Sequence, residues 1–279
     1  FLIKIYIFKH LYPFLIKMIR LCVFDLGGTI VDKFSLSPFY SLKKAFRNER
    51  ILVPNTLIFN DMGRNKKDHI QRILDDEFIS NSWLKIHGSY PVKNDVDEVF
   101  KQFNHIQENE GLDHITILPE TKSTIHKLQK NHILTSVTTG FNKEIMNLIK
   151  QKLNNDNIYL NQYVSSTCLD APSRPYPHMI NHIMNNLNIN NPHSVIKVDD
   201  TVVGIEEGLN AGCISIGVTR WSSVMKMTSY DEMNNLSLEE ITQRNDEAKN
   251  ILLSAGANYV INSLDNLYPI IQKINHDNK

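Results

Sequence analysis

Hydrophobic and β-branched side chains crowd into five short runs along the chain. These are "IRLCVFD" at 19–25, "ILTSVTT" at 133–139, "QYVSST" at 162–167, "SVIKVD" at 194–199 and "CISIGV" at 213–218. The runs lack the strict alternation of a strand with one wet face, so they predict strands buried on both sides. Amphipathic stretches separate most of them, and strands that alternate with helices predict a parallel α/β sheet. A sixth run, "NYVI" at 258–261, predicts another strand, and "LDNLYPIIQKI" at 264–274 predicts a closing helix.

The alternation breaks once. Between residues 34 and 113 the pattern is helical throughout, as in "SPFYSLKKAF", "KKDHIQRIL" and "VDEVFKQFNHI". That is too long for a connection between a strand and its helix. It predicts a Rossmann-like parallel-sheet core, residues 18–33 and 114–279, with an inserted α-helical cap at 34–113. Such a cap would cover the carboxyl ends of the strands, where open α/β sheets bind ligands.

Before the first strand, "FLIKIYIFKHLYPFLIK" is hydrophobic but carries Lys4, Lys9, Lys17 and Pro13. No uncharged run approaches the roughly 20 apolar residues that cross a bilayer. Met18 stands just ahead of the first run, so residues 1–17 read as an extension outside the native protein, with a targeting segment as the alternative. Lys+Arg and Asp+Glu both count 30 among the 279 residues, and the formal charge of +0 gives no electrostatic case for nucleic acid or an anionic membrane. Cys22, Cys168 and Cys213 are scattered without a CxxC spacing, which fits free thiols in a reducing, cytoplasmic setting. The Asn-dense stretches read as polar surface.

Chemistry gathers at four strand ends. In "DLGGTIVD" Asp25 ends the first strand, Gly27 and Gly28 let backbone approach a phosphate, and Thr29 can cap the turn. "TTG" brings Thr139 and the free N–H of Gly140 to the second. "SRPYP" sets the permanent charge of Arg174 before a helix begun by prolines. "VDDT" ends the fourth with adjacent carboxylates, Asp199 and Asp200, hard ligands suited to Mg²⁺. Each is weak alone, but four in this order point to phosphoryl handling. His178 and His182 are four apart, yet no third ligand presents itself, and they read as surface histidines.

This constellation resembles the haloacid dehalogenase superfamily. The resemblance implies an aspartyl-phosphate on Asp25, with Mg²⁺ held by Asp25, the Gly27 backbone carbonyl and Asp200, and Asp199 as a further candidate ligand. Within it, "MGRNKKDHI" at 62–70, together with "GTIVD", "VTTGF", "RPYP", "IKVDDT" and "EEGLNAG", is similar to the phosphonoacetaldehyde hydrolase (phosphonatase) family. That likeness runs from about residue 19 nearly to the C-terminus. It implies a Schiff base on Lys66, with Met62 and His69 beside the reacting centre, and phosphate held by Thr139, Gly140, Arg174 and Phe141. It further implies a small phosphonate substrate and a homodimer joined through the caps. By composition "RNKK" reads as a solvated helix face. The spacing of Met62-Gly63, Lys66 and Asp68-His69, combined with Gly27, reverses that reading and leaves Lys67 as the rival.

Gly27 is the informative position. Ester phosphatases of this kind carry an acid there to protonate an alkoxide. A P–C bond leaves a carbanion, which needs an electron sink, and an imine on lysine supplies one. The main departure is Gly204, where the superfamily usually has a carboxylate. Its loss would loosen the metal site unless Asp199 restores the charge from another direction. Leu26, Ser35 and Ser173 are smaller departures. An ordinary phosphatase of the same superfamily and a non-catalytic binding protein are the competing expectations.

Overall fold

A computed structural model describes residues 18–277; the expected extension at 1–17 lies outside the described residues. Every strand expected from the hydrophobic runs is present: β1 (Leu21–Phe24), β2 (Leu134–Thr139), β3 (Gln162–Ser165), β4 (Val195–Asp199), β5 (Ile214–Val218) and β6 (Tyr259–Ile261). All neighbours pair in parallel, in the order β3-β2-β1-β4-β5-β6.

The strands separate two apolar layers because alternate side chains point to opposite faces. Cys22 and Phe24 join Val137, Ile196, Val198 and Ile216 on one face, covered by α-helices at Thr121–Lys130, Lys143–Asn155 and Leu267–Asp277. Leu21 and Val23 join Val164 and Val195 on the other, against Met179, Ile180 and Ile183 of the helix His178–Asn186. β1 is central and fully buried, which explains why its run shows no alternation.

The insertion expected at 34–113 is helical. Its α-helices are α1 (Leu36–Asn48), α2 (Asn55–Asn60), α3 (Lys66–Asp75), α4 (Glu77–His87) and α5 (Lys93–Asn109). They enclose their own apolar cluster, in which Phe39 stacks on Phe59 at 4.7 Å between ring centroids. The cluster does not stop at the cap: Trp221, Met225, Met227 and Ala248 of the core also belong to it. Helix α2, and two helices after β5 at Tyr230–Asn235 and Leu238–Ser254, were not isolated by the hydrophobic pattern. The long one buries only Ala248 and Leu252 along its length, too thin a stripe to mark a period.

The chain enters and leaves the cap through one tight crossing. Val31 bridges antiparallel to Ile117, and Thr121 Oγ1 donates to the Ile30 carbonyl at 2.7 Å. Asp32, Phe34 and Ser35 all adopt positive φ (54°, 61° and 52°), a left-handed conformation that costs side-chain-bearing residues energy. Surrounding bonds hold it: Phe34 N–H donates to the Trp221 carbonyl at 2.7 Å, and Asp32 N–H to that of Thr116 at 2.8 Å.

Phe39→Ala should cost about 3–5 kcal/mol in urea unfolding, because the ring is fully buried and stacked within the cap. A loss below about 1 kcal/mol would mean that the cap cluster is not packed as described.

Candidate active site

β1 lies between β2 and β4, where the strand order reverses direction. Loops leaving the sheet diverge at such a switch point and open a crevice. Asp25 follows β1 directly, its N–H still donating to the Val198 carbonyl at 3.0 Å, and so projects into that crevice. Asp199 and Asp200 arrive beside it at the end of β4.

Arg174 ties these ends together. Its Nη1 lies 2.8 Å from Asp25 Oδ1 and 3.5 Å from Asp199 Oδ2, its Nε 2.8 Å from Glu207 Oε2, and its Nη2 donates to the Thr138 carbonyl and hydroxyl at 2.7 and 2.8 Å. Lys197, in the middle of β4, lies 3.0 Å from Asp199 Oδ2 and 3.2 Å from Glu207 Oε2, and donates to Thr138 Oγ1 at 2.7 Å. All of these side chains are buried. Burial opposes the charge on Arg174, but Glu207, Asp25 and Asp199 outweigh it and keep the guanidinium protonated.

Asp200 is fixed from the opposite side. Ser223 donates to its Oδ2 through N–H and Oγ, both at 2.9 Å, and Thr29 Oγ1 donates to Oδ1 at 3.2 Å. Gly28, at φ 71°, is obligatory here, since a Cβ would stand 2.4 Å from Asp200 Oδ2. Asp25, Asp199 and Asp200 each bring a carboxylate oxygen within 4.8 Å of the others, a donor set able to hold a metal ion. Burial and the neighbouring Asp199 and Asp25 push Asp200 well above the ordinary carboxyl range. Asp25 is pushed up to about 6, chiefly by burial, with Arg174 pulling against it. Asp199 stays below the ordinary range because Lys197, Arg174 and the Thr201 donors overcome its burial. Among the described residues, Asp25, Asp199, Asp200 and Glu207 have two cations in direct contact, Arg174 and Lys197, with Lys66 across the pocket, so the fully ionised cluster is short of positive charge. A divalent cation fits that deficit.

The cap forms the opposing wall. Met62, Gly63 and Lys66 face Asp25, Gly27, Thr139, Gly140 and Phe141 across one pocket. The contact is close: a Cβ on Gly140 would meet the carbonyl oxygens of Gly63 and Arg64 at 2.6 Å each. Asn65 Nδ2 donates to Ser166 Oγ at 3.1 Å across the same seam, and caps α3 by accepting from the N–H groups of Lys67 and Asp68. Lys66 is 4% exposed, with Nζ 3.9 Å from Met62 Sδ and 3.5 Å from the Arg64 carbonyl. Its amine is pushed down to about 8, first by burial and, among charges, by Arg174. The neighbouring cations turn elsewhere: Arg64 pairs with Asp61 at 2.7 Å, and Lys67 pairs with Asp97 on the surface. Of the two rival lysines, the fold brings Lys66 to the pocket.

The remaining expected residues divide. Thr139, Gly140 and Phe141 line the pocket, and Thr139 Oγ1 accepts from the Phe141 N–H at 3.2 Å. His69 is fully buried behind Lys66, outside the pocket wall, and approaches the backbone of Leu57 and Ile58 without completing a hydrogen bond. Burial, then Lys66, drives its pKa well below the usual value, so it is neutral. His182 is exposed and bonds Asn186, and His178 stacks on Tyr176.

Sequence reasoning missed Lys197, Glu207 and Ser223. A lysine amid the apolar run "VIKVD" was a signal, since a charge inside a doubly buried strand requires partners. Gly204 reads differently in three dimensions. The volume its side chain would fill is occupied by the Asp199 carboxylate.

The family model for haloacid dehalogenase-like hydrolases matches residues 19–212, and the chain belongs to that family. Within it, the chain belongs with the phosphonoacetaldehyde hydrolases (phosphonatases). It is 30% identical over 255 residues to phosphonoacetaldehyde hydrolase of Latilactobacillus sakei subsp. sakei, covering 91% of this chain and 96% of that protein. It is 29% identical over 261 residues to the bifunctional phosphonoacetaldehyde hydrolase/aminoethylphosphonate transaminase of Clostridioides difficile; there it spans 94% of its own length but only 41% of the relative's. Among solved structures, the phosphonoacetaldehyde hydrolase like protein from Oleispira antarctica superposes with a TM-score of 0.88 at 29% identity, covering 93% of this chain and 94% of that one. A hydrolase from Pseudomonas syringae, at TM-score 0.64 and 15% identity over 91% of this chain and 98% of its own, shares the fold.

Gly140→Ala should pry the cap from the core, because backbone carbonyls, not flexible side chains, face the new methyl group. We expect catalytic activity to fall at least about tenfold, with little change in melting temperature. Unchanged activity would show that the seam is not closed when the protein works.

Proposed function

We propose that the protein hydrolyses the P–C bond of phosphonoacetaldehyde to acetaldehyde and phosphate. The observation that carries this reading is a buried lysine amine, pushed down to about 8, in one pocket with the Asp25 carboxylate and a glycine where an ester phosphatase needs its acid. The relatives' names support the substrate.

The proposed sequence follows from these groups. Neutral Lys66 Nζ attacks the aldehyde carbon, and loss of water gives a protonated imine. Asp25 attacks phosphorus in line. As the P–C bond breaks, its electron pair moves into the imine, which becomes an enamine, while phosphorus is transferred to Asp25. Arg174, at 2.8 Å from Asp25, balances charge on the phosphoryl group, and the N–H of Gly140 and hydroxyl of Thr139 hold its oxygens. Asp25, Asp200 and the Gly27 carbonyl, with Asp199 alongside, would hold Mg²⁺, which would supply positive charge to the phosphoryl group. Water then cleaves the acyl-phosphate. The enamine takes a proton at carbon, and hydrolysis of the imine frees acetaldehyde and Lys66. Met62 packs against the amine, and neutral His69 lies three residues along the same helix. A cytoplasmic homodimer joined through the caps completes the reading; exposed Leu52, Phe78, Tyr90 and Val92 on the cap support it, and sedimentation should return twice the chain mass.

Borohydride reduction in the presence of phosphonoacetaldehyde should leave a secondary amine on Lys66, read by peptide mass spectrometry. Trapping should rise with pH through about 8 and fall tenfold per unit below it, because only the free amine attacks. Lys66→Arg should lose activity by about a thousand-fold or more while folding normally. A fully active arginine variant would point to an ordinary phosphatase.

A further inference from the structure

Gly204 lies in the first turn of the helix Val202–Asn210, where its backbone is ordinary α-helix and no dihedral angle calls for glycine. A neighbour excludes its side chain. A Cβ at 204 would stand 1.9 Å from Asp199 Cγ, 1.9 Å from Oδ2 and 2.2 Å from Oδ1, far inside any non-bonded contact. The carboxylate has nowhere to retreat. Its Oδ1 accepts from Thr201 N–H at 2.9 Å and Thr201 Oγ at 2.7 Å, and its Oδ2 lies 3.0 Å from Lys197 Nζ and 3.5 Å from Arg174 Nη1. Thr201 is itself pinned, because its Oγ1 accepts the N–H of Gly204 at 3.2 Å. Residues 199 and 204 thus compete for one volume beneath the helix N-terminus, and the strand residue has taken it.

We infer that Asp199 and Gly204 are a single coupled unit: the end of β4 delivers the third carboxylate of the cluster with Asp25 and Asp200 into the space of the residue-204 side chain, and the helix gives up that side chain to admit it. The inference rests on the cluster being a cation site and is independent of the phosphonate chemistry. Two consequences follow. Any side chain at 204 is incompatible with Asp199, whatever its polarity. A carboxylate supplied from 204 instead, with glycine at 199, would occupy nearly the same volume, because the 204 Cβ position already falls on the Asp199 carboxyl group.

Five full-length proteins test this: the parent, D199N, D199G, G204D and the double variant D199G/G204D. Two properties are read for each, the melting temperature without metal and the Mg²⁺ affinity by titration calorimetry. G204D should melt well below the parent, because overpacking at a rigid site is not relieved. D199N, which keeps the shape and removes the charge, should fold and lose roughly 10- to 100-fold in Mg²⁺ affinity. D199G should show the same loss. The double variant should regain most of both properties, a gain far beyond additivity. If G204D fails to fold alone, the comparison of the double variant with D199G decides. A D199N protein that binds Mg²⁺ like the parent would overturn the charge role, and a double variant no better than the sum of its parts would overturn the coupling. Neither readout involves phosphonoacetaldehyde, so failure of the proposed reaction would leave this result standing.

Discussion

Charge balance beneath the cap is the constraint on which the rest of the site depends. Four carboxylates and two cationic side chains meet where β1, β2 and β4 end, all of them buried. Removing such groups from water costs several kcal/mol each unless they are paired. Arg174 and Lys197 satisfy Asp25, Asp199 and Glu207 by direct contact, and each cation serves two or more acids. The Asp200 carboxylate accepts from neutral donors, Thr29 and Ser223, among the described residues. Burial, and then Asp199 and Asp25, raise its pKa, and it stands with those two carboxylates in a group able to hold a metal ion.

The cap acts on the same balance from above. By sealing Gly63 and Arg64 against Gly140, it withdraws Lys66 and Asp25 together from solvent. Burial disfavours the charged form of both, so it helps one and harms the other. For Lys66 the change from 10.5 to about 8 is worth roughly 3 kcal/mol in favour of the free amine. For Asp25 the equivalent push must be resisted, and Arg174 at 2.8 Å supplies the main resistance. One arginine thereby acts on both groups: it favours the ionised carboxylate of Asp25 and, against the larger opposing pull of Asp25, the free amine of Lys66. The crossing at Asp32, Phe34 and Ser35 holds the cap against the strands by anchoring to Trp221 and Thr116.

How much of this could be read from residues alone depended on the kind of information required. The sheet was legible because every strand carries an unbroken run of buried side chains, and the break at 34–113 was legible because a helical period replaced it. The four strand-end segments were legible because parallel order sends each one to the same edge. Choosing Lys66 over Lys67 required direction, which the asparagine cap of α3 sets and which periodicity does not record. Lys197 and Glu207 went unread because their partners are distant in sequence, at Thr138 and Arg174. Gly204 looked like a lost carboxylate because spacing counts positions along one helix, whereas the charge comes from a strand.

Gly27 shows why the cap supplies what the strand end does not. A Cβ there would meet Ser35 Oγ at 2.9 Å and would come within 4.0 Å of Asp32 Oδ2, on the segment that carries the chain into the cap. Asp32 is itself buried and pushed up to about 8, mainly by burial. An acid at 27 would add another carboxyl to a space already holding one that burial keeps protonated. The position two residues beyond Asp25 is therefore crowded by the Ser35 hydroxyl and unfavourable for an ionised acid. In the proposed reaction the leaving group is stabilised from the opposite wall, where Lys66 lies buried with its amine pushed down to about 8. On that proposal the nucleophile sits on the sheet and the electron sink on the cap, groups that neither half holds alone.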